Sequence, residues 1–190
     1  MYVCFALLLD YEVHNKVRKI IYNLIKEQLV GIESSLLPQH ISLKQSFYVS
    51  EITEVEKYFN EFVVGLSSFE VTFKAIDLIN MKNEEYESQI LWLEIQENKE
   101  LREIHNSLNS ELMNRLQIPN SGFDGDSFQF HSTLTLGYNQ YKELLEIKNE
   151  LTENFNEMSF QVKEIAMFYS VDEHRPGRFI THKILPLMKK

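Results

Sequence analysis

Two short stretches carry the side chains best suited to chemistry, Gln39-His40-Ile41-Ser42-Leu43-Lys44 and Phe130-His131-Ser132-Thr133-Leu134-Thr135-Leu136. Each sets a hydroxyl residue two places after a histidine. In a β-strand that period of two aims both side chains out of the same face. Strand alternation therefore predicts one polar face of His40, Ser42 and Lys44, and another of His131, Thr133 and Thr135. Ile41, Leu43 and Phe47 fall behind the first, Leu134 and Leu136 behind the second. Two imidazoles titrating near neutral pH can act as general base and general acid across a reacting centre. The Ser and Thr hydroxyls would donate hydrogen bonds to oxygens whose charge grows in the transition state. A phosphate suits that layout.

The pattern alone is cheap, because His105-Asn106-Ser107 repeats it. That copy sits in a helical pattern, where positions i and i+2 point about 200° apart and cannot form one patch. Strand context separates the two useful copies from the third. His14, His105, His174 and His182 are accordingly read as surface or packing residues.

The elements that must position the histidines are set out by periodicity. Residues 2–9 are continuously apolar, which suits a central strand covered on both faces. Val13, Val17, Ile20, Ile21, Leu24 and Ile25 recur at helical spacing over 12–29, with Gly31 as the capping glycine beyond. Pro38 precedes the first histidine strand, over 39–49. Val55, Tyr58, Phe59, Phe62, Val63 and Leu66 form one helix face. Residues 69–79 then alternate as a strand, and polar residues 82–88 connect to another over 89–96. A helix comes next, over 100–116. The loop 118–126, with Pro119, Gly122 and Gly125, carries much of the turn chemistry and leads into the second histidine strand, over 131–138. A helix at 141–156, a strand at 159–170, a turn at Arg175-Pro176-Gly177 and a strand at 178–187 complete the chain.

That order reads βαβαβ, then βαβαββ. A constant shift of 91 positions maps His40 onto His131, Ser42 onto Thr133, Ser68 onto Ser159, Phe69 onto Phe160, Val71 onto Val162 and Ala75 onto Ala166. The expected architecture is α+β. Two pseudo-symmetric lobes, each a mostly antiparallel sheet with helices outside, would enclose a central cleft. One domain spans 1–190, with approximate halves 1–85 and 86–190.

Composition narrows the partners. At 190 residues, with 44% hydrophobic content, the chain can bury a full core. A net charge of -9 argues against long duplex nucleic acid, which needs clustered Lys and Arg. A small or terminal phosphate remains open. The single Cys4 lies in an apolar run, so no disulfide framework is built from this chain and the thiol reads as inert. The N-terminal apolar run is short and lacks a basic leader, and no run reaches a membrane span. A monomer in a reducing cytoplasm is expected. A histidine-based metal site is the weaker reading, since neither strand face adds a carboxylate or thiolate.

The strands PQHISLK and FHSTLTLG, on a duplicated scaffold of this length, resemble the two-histidine phosphoesterase superfamily. That group includes the 2′-5′ RNA ligases and the RNA cyclic phosphodiesterases. The ending Met167-Phe168-Tyr169-Ser170, a turn with Gly177, and Phe179 onward is similar to its closing hairpin. The resemblance implies metal-independent, cofactor-free hydrolysis of a 2′,3′-cyclic or 2′-5′ phosphodiester on a small nucleotide or RNA end. His40 and His131 would be the acid/base pair, with Ser42 and Thr133 holding the phosphate. Further substrate contacts would come from Lys44, Thr135 and Arg178, and an aromatic stacking on the base from Tyr48 or Tyr169. Ser132 departs from the family, which commonly has an apolar residue there. The alternative is a non-catalytic module binding phosphorylated nucleotides or RNA ends in the same cleft.

Overall fold

The structure, a computed structural model, describes residues 1–27, 32–82, 87–136, 141–171 and 178–189. Strand β1 (Tyr2–Leu8) is apolar throughout because both its faces are covered. Val3, Phe5 and Leu7 enter the main core. Cys4, Ala6 and Leu8 meet Ala166 and Phe168 in a second, smaller cluster on the opposite face. Asp10 then caps helix α1 (Tyr11–Lys26), accepting from the Val13 amide at 2.9 Å. Gly31, expected as its capping glycine, lies outside the described residues.

A 3₁₀ turn at Ile32–Ser35 leads to β2 (His40–Ser42). The expected long strand over 39–49 is interrupted: β2 ends at Ser42, and pairing resumes in β3 (Phe47–Tyr48). Helix α2 (Thr53–Val64) buries Val55, Tyr58, Phe59, Phe62 and Val63, the face its spacing predicts. Strands β4 (Phe69–Lys82) and β5 (Glu87–Gln96) form a long antiparallel pair. Asn98 caps α3 (Lys99–Leu116), which ends on Gln117 in the left-handed region at φ 56°. Strand β6 (His131–Leu136), helix α4 (Tyr141–Glu153), and strands β7 (Met158–Val162), β8 (Glu164–Ser170) and β9 (Ile180–Pro186) come after it.

Two antiparallel sheets result. One has the order β2-β1-β8-β9, with β3 also on β1; the other runs β6-β5-β4-β7. Each histidine strand is therefore the terminal strand of its sheet, beside the strand that precedes α1 or α3. The sheets do not divide the chain at residue 85: β4 joins the second sheet, while β8 and β9 return to the first. The strand expected over 159–170 is two strands, and the chain changes sheets at Lys163 between them. Residues of α1, α2, α3 and α4 pack on Phe5, Leu7, Phe73, Leu91 and Leu93, so helices cover one face of each sheet. The other faces carry the histidines.

Candidate active site

Register fixes which side chains face the cleft. His40 lies opposite Leu8 and Ser42 opposite Ala6, so both project from the face carrying Cys4, Ala6 and Leu8. On β6, His131 lies opposite Glu94 and Thr133 opposite Trp92, turned away from core residues Leu91 and Leu93. Strands β2 and β6 run close together, bringing the two polar pairs to one place.

The histidines are anchored alike. His40 Nδ1 lies 2.8 Å from the Pro38 carbonyl, and His131 Nδ1 lies 2.8 Å from the Gln129 carbonyl. A carbonyl oxygen only accepts, so each Nδ1 donates its proton and each Nε2 keeps its lone pair. This repeated bond to the carbonyl two residues earlier has no side-chain signature. Each ring also has an aromatic wall: Trp92 stacks on His131 at 4.1 Å between centroids, and Phe168 meets His40 edge-on at 4.9 Å. Trp92 could have been found in the sequence, since Ile90, Trp92 and Glu94 alternate against Leu91, Leu93 and Ile95.

Burial disfavours the imidazolium at both positions. It holds His40 below its ordinary value, against the pull of the Pro38 hydrogen bond. It takes His131 down to about 4, against the Gln129 bond, and the positive charge His40 would carry adds to the fall. That coupling places the rings within each other's field. Beneath Ser42, burial pushes the Cys4 thiol up to about 11, so it remains S–H, 3.8 Å from Ser42 Oγ.

Four expected contacts lie elsewhere. Lys44 is 1% exposed and points inward, because β2 ends at Ser42 and the alternation ends with it. Its ammonium donates to Asp124 Oδ2 and Asn109 Oδ1, both at 2.7 Å. Thr135 is turned to the core: Leu134 is an extra residue, a β-bulge between the Thr133–Trp92 and Thr135–Leu91 pairs, and it reverses the facing of the residues after it. Tyr169 lies opposite Val3 on the core face and meets His182 edge-on at 5.5 Å. Tyr48 shares the face of His40, but it pairs with Tyr2, six residues along β1 from Leu8 and so roughly 20 Å from His40. Arg178 is exposed beside Phe179, which packs on the Phe168 cluster. His174 and the Arg175-Pro176-Gly177 turn lie outside the described residues.

His105 belongs to the scaffold. It is fully buried on α3, donates from Nδ1 to the Leu43 carbonyl at 2.7 Å, and accepts from the Gly125 amide at Nε2.

Ser132 and Thr135 supply a stability prediction. Both are buried toward the core, and neither hydroxyl has a partner among the described residues. An unpaired buried hydroxyl costs about 1–3 kcal/mol. Ser132→Ala and Thr135→Val are each expected to raise the free energy of unfolding by about 1 kcal/mol in urea titrations, with unchanged turnover. A raised KM in Thr135→Val would return that residue to the substrate.

Residues 14–173 match the family model of the 2′-5′ RNA ligase superfamily. The chain belongs to that superfamily. Its fold is shared by solved structures of low identity. Protein TT0787 of Thermus thermophilus is 12% identical, with 100% of each chain covered and a TM-score of 0.61. A structure described simply as a phosphoesterase is 18% identical, covering 98% of this chain and 97% of that one, with a TM-score of 0.56. E. coli LigT complexed with 3′-AMP is 16% identical over 98% of this chain and 97% of its own, with a TM-score of 0.52. Comparison with curated proteins gives no match. As in any superfamily, membership fixes scaffold more firmly than substrate. No helix among the described residues is long and apolar enough to cross a membrane.

Proposed function

We propose that this member of the superfamily hydrolyses 2′,3′-cyclic phosphate or 2′-5′ phosphodiester ends of nucleotides or RNA, with His40 and His131 as the acid/base pair. The observation that carries this reading is the matched anchoring of the two imidazoles, each with Nδ1 occupied and Nε2 left for chemistry. One Nε2 takes a proton from water as the water oxygen bonds to phosphorus. The other, protonated, gives its proton to the ribose oxygen as that P–O bond breaks. Ser42 and Thr133 donate to the non-bridging oxygens, where charge accumulates. Arg178 stands at the rim as a countercharge. The chemistry needs no metal or cofactor, and the capture of 3′-AMP by a protein of the same fold agrees with a nucleotide-sized occupant.

Both histidines are held neutral in the free cleft, whereas the mechanism starts with one protonated. The phosphodiester anion supplies the difference, because a negative charge between the rings favours their protonated forms. The rate profile reflects this. Since kcat/KM reports the free protein, its alkaline limb should fall below pH 6.5, the ordinary histidine value. Since kcat reports the complex, its limb should lie higher. Turnover of 2′,3′-cyclic nucleotides across pH 4–9, with and without EDTA, tests both. A kcat/KM optimum above pH 7.5, or loss of activity in EDTA, would refute the scheme. Tight 3′-AMP binding without turnover of cyclic or 2′-5′-linked substrates would make the cleft a binding site only.

A further inference from the structure

The cleft accounts for one phosphate, and the outer face of α1 addresses the chain beyond it. Val13, Val17, Ile21 and Leu24 of α1 are buried, so the opposite side of the helix faces solvent. With 100° per residue, Tyr11, Arg18 and Tyr22 fall within about 20° of one line down that side, with Lys19 and Lys26 about 60–80° round from it. Tyr11 is 83% exposed and Tyr22 65%, among the most exposed aromatics of the molecule. A tyrosine held in water across its ring face contributes nothing to the core.

The charge of this face is opposite to that of the protein. The chain carries a net -9, yet α1 holds Lys16, Arg18, Lys19 and Lys26 against Glu12 alone. Glu12 is already engaged by Lys16 at 2.7 Å. Charges separated by more than about 8 Å are largely screened at physiological salt, so a ligand on α1 meets this basic face rather than the net charge. Cations interleaved with exposed aromatics recognise single-stranded nucleic acid, the cations tracking phosphates and the rings stacking on bases.

The helix is tied to both histidine strands: it packs on the core side of the sheet that bears His40 and lies beside β6 and the 3₁₀ turn. Leu8, the residue opposite His40, ends β1, and Tyr11 opens α1 three positions later. Arg18 donates to the Ser35 carbonyl at 3.1 Å, bracing the segment that feeds β2. A chain whose terminal phosphate sits between the histidines would round that end of the sheet to reach Tyr11, with Tyr22 about 16 Å further along the helix. A membrane is the poorer occupant, because the apolar side of α1 is spent on the core.

We propose that the exposed face of α1 formed by Tyr11, Arg18, Lys19, Tyr22 and Lys26 binds the single-stranded RNA leading to the reacting end. The substrate would then be an RNA terminus rather than a free mononucleotide. This rests on the phosphodiesterase reading for the cleft, but its binding test does not.

The experiment uses the full chain carrying His131→Ala, with a fluorescein-labelled single-stranded decamer ending in 3′-phosphate. Anisotropy titrations at several salt concentrations compare it with the same chain also carrying Tyr11→Ala and Tyr22→Ala, or Lys19→Gln and Lys26→Gln. Loss of the tyrosines should weaken binding about tenfold or more. Loss of the lysines should flatten the slope of log K against log salt by about 1.4. In the otherwise wild-type chain, the same pairs should lower kcat/KM for a cyclic-phosphate decamer and leave that for a cyclic mononucleotide unchanged. Equal decamer affinity in all variants would overturn the proposal, as would an equal loss on mononucleotide and decamer. Binding to anionic vesicles but not to the decamer would overturn it in favour of a membrane surface. If no substrate is turned over while the decamer contrast persists, the catalytic reading fails and the RNA surface stands.

Discussion

Alanine at His40 or His131 is expected to lower kcat/KM for a nucleoside 2′,3′-cyclic phosphate by about 10²–10⁴-fold, the usual worth of a positioned general acid or base. The two rings act on one proton inventory, so His40→Ala/His131→Ala should lose far less than the product of the single effects. Folding should barely change. Both rings are only partly buried, and their anchors are backbone carbonyls that water can satisfy once the imidazole is gone. Far-UV circular dichroism and the urea midpoint therefore separate a chemical loss from a structural one. Ser42→Ala and Thr133→Val should act differently, removing one hydrogen bond each to the phosphate oxygens. Full activity in either histidine variant would exclude that residue from the proton transfers. The pH profiles sharpen the comparison, since a variant lacking the acid loses the alkaline limb and one lacking the base loses the acid limb.

How much of this was legible depends on what a period of two can report. It correctly paired His40 with Ser42 and His131 with Thr133, and helical spacing correctly removed His105. It failed where the backbone adds or ends a repeat without compositional notice. Leu134 is an ordinary strand residue, yet as a bulge it sends Thr135 into the core. Lys44 looks like the third member of a polar face, but β2 has already ended. Tyr169 could not be assigned to a face because β8 is apolar on both, Ala166 and Phe168 flooring the cleft while Ile165 and Met167 enter the core.

The larger topology shows the same limit. Over 159–170 the pattern passes from alternation (Phe160, Val162) to an apolar run (Ile165 to Phe168) across Lys163-Glu164, but a change of pattern does not say that the chain leaves one sheet for the other there. A sequence shift of 91 equates Phe69 with Phe160, whereas the strands that bear them, β4 and β7, are neighbours in a single sheet. The position in the second sheet that β4 occupies is filled in the first by β8. The histidine strands correspond by place as well as by sequence, whereas the shift splits β4 between two partners, Phe69 and Val71 falling on β7 and Ala75 on β8.

The second large effect is expected where Lys44 was found. Lys44 and Asp124 form an ion pair of 2.7 Å at side-chain exposures of 1% and 0%, with Asn109, Asn120, the Pro119 carbonyl and the amides of Ser121 and Gln45 completing the shell. Lys44→Met strands a buried carboxylate and Asp124→Asn a buried ammonium, each expected to cost about 3–5 kcal/mol in urea unfolding. Lys44→Met/Asp124→Leu should recover much of that loss, because the penalty belongs to the uncompensated charge rather than to the missing attraction. Recovery would not extend to activity. The pair fastens the loop from Ile118 to Phe128 against α3 and the end of β2, and that loop delivers Gln129, whose carbonyl orients His131. Acid should show the pair directly. Burial of Asp124 opposes its ionisation, but the Lys44, Ser121 and Gln45 hydrogen bonds outweigh that and hold its carboxyl below the ordinary 3.8. A carboxyl depressed on folding stabilises fully above its unfolded value and loses that contribution as pH falls through the folded one. His105 works at higher pH. Burial holds its imidazole below 6.5, so stability falls from pH 6.5 down to its folded value as the unfolded chain takes up the proton first. Burial also lowers His40 and takes His131 down to about 4, so these histidines share that decline. Asp124→Asn should lessen the further loss below pH 3.8 and keep the histidine decline, and an unchanged loss below 3.8 would show that Asp124 does not titrate as its surroundings require.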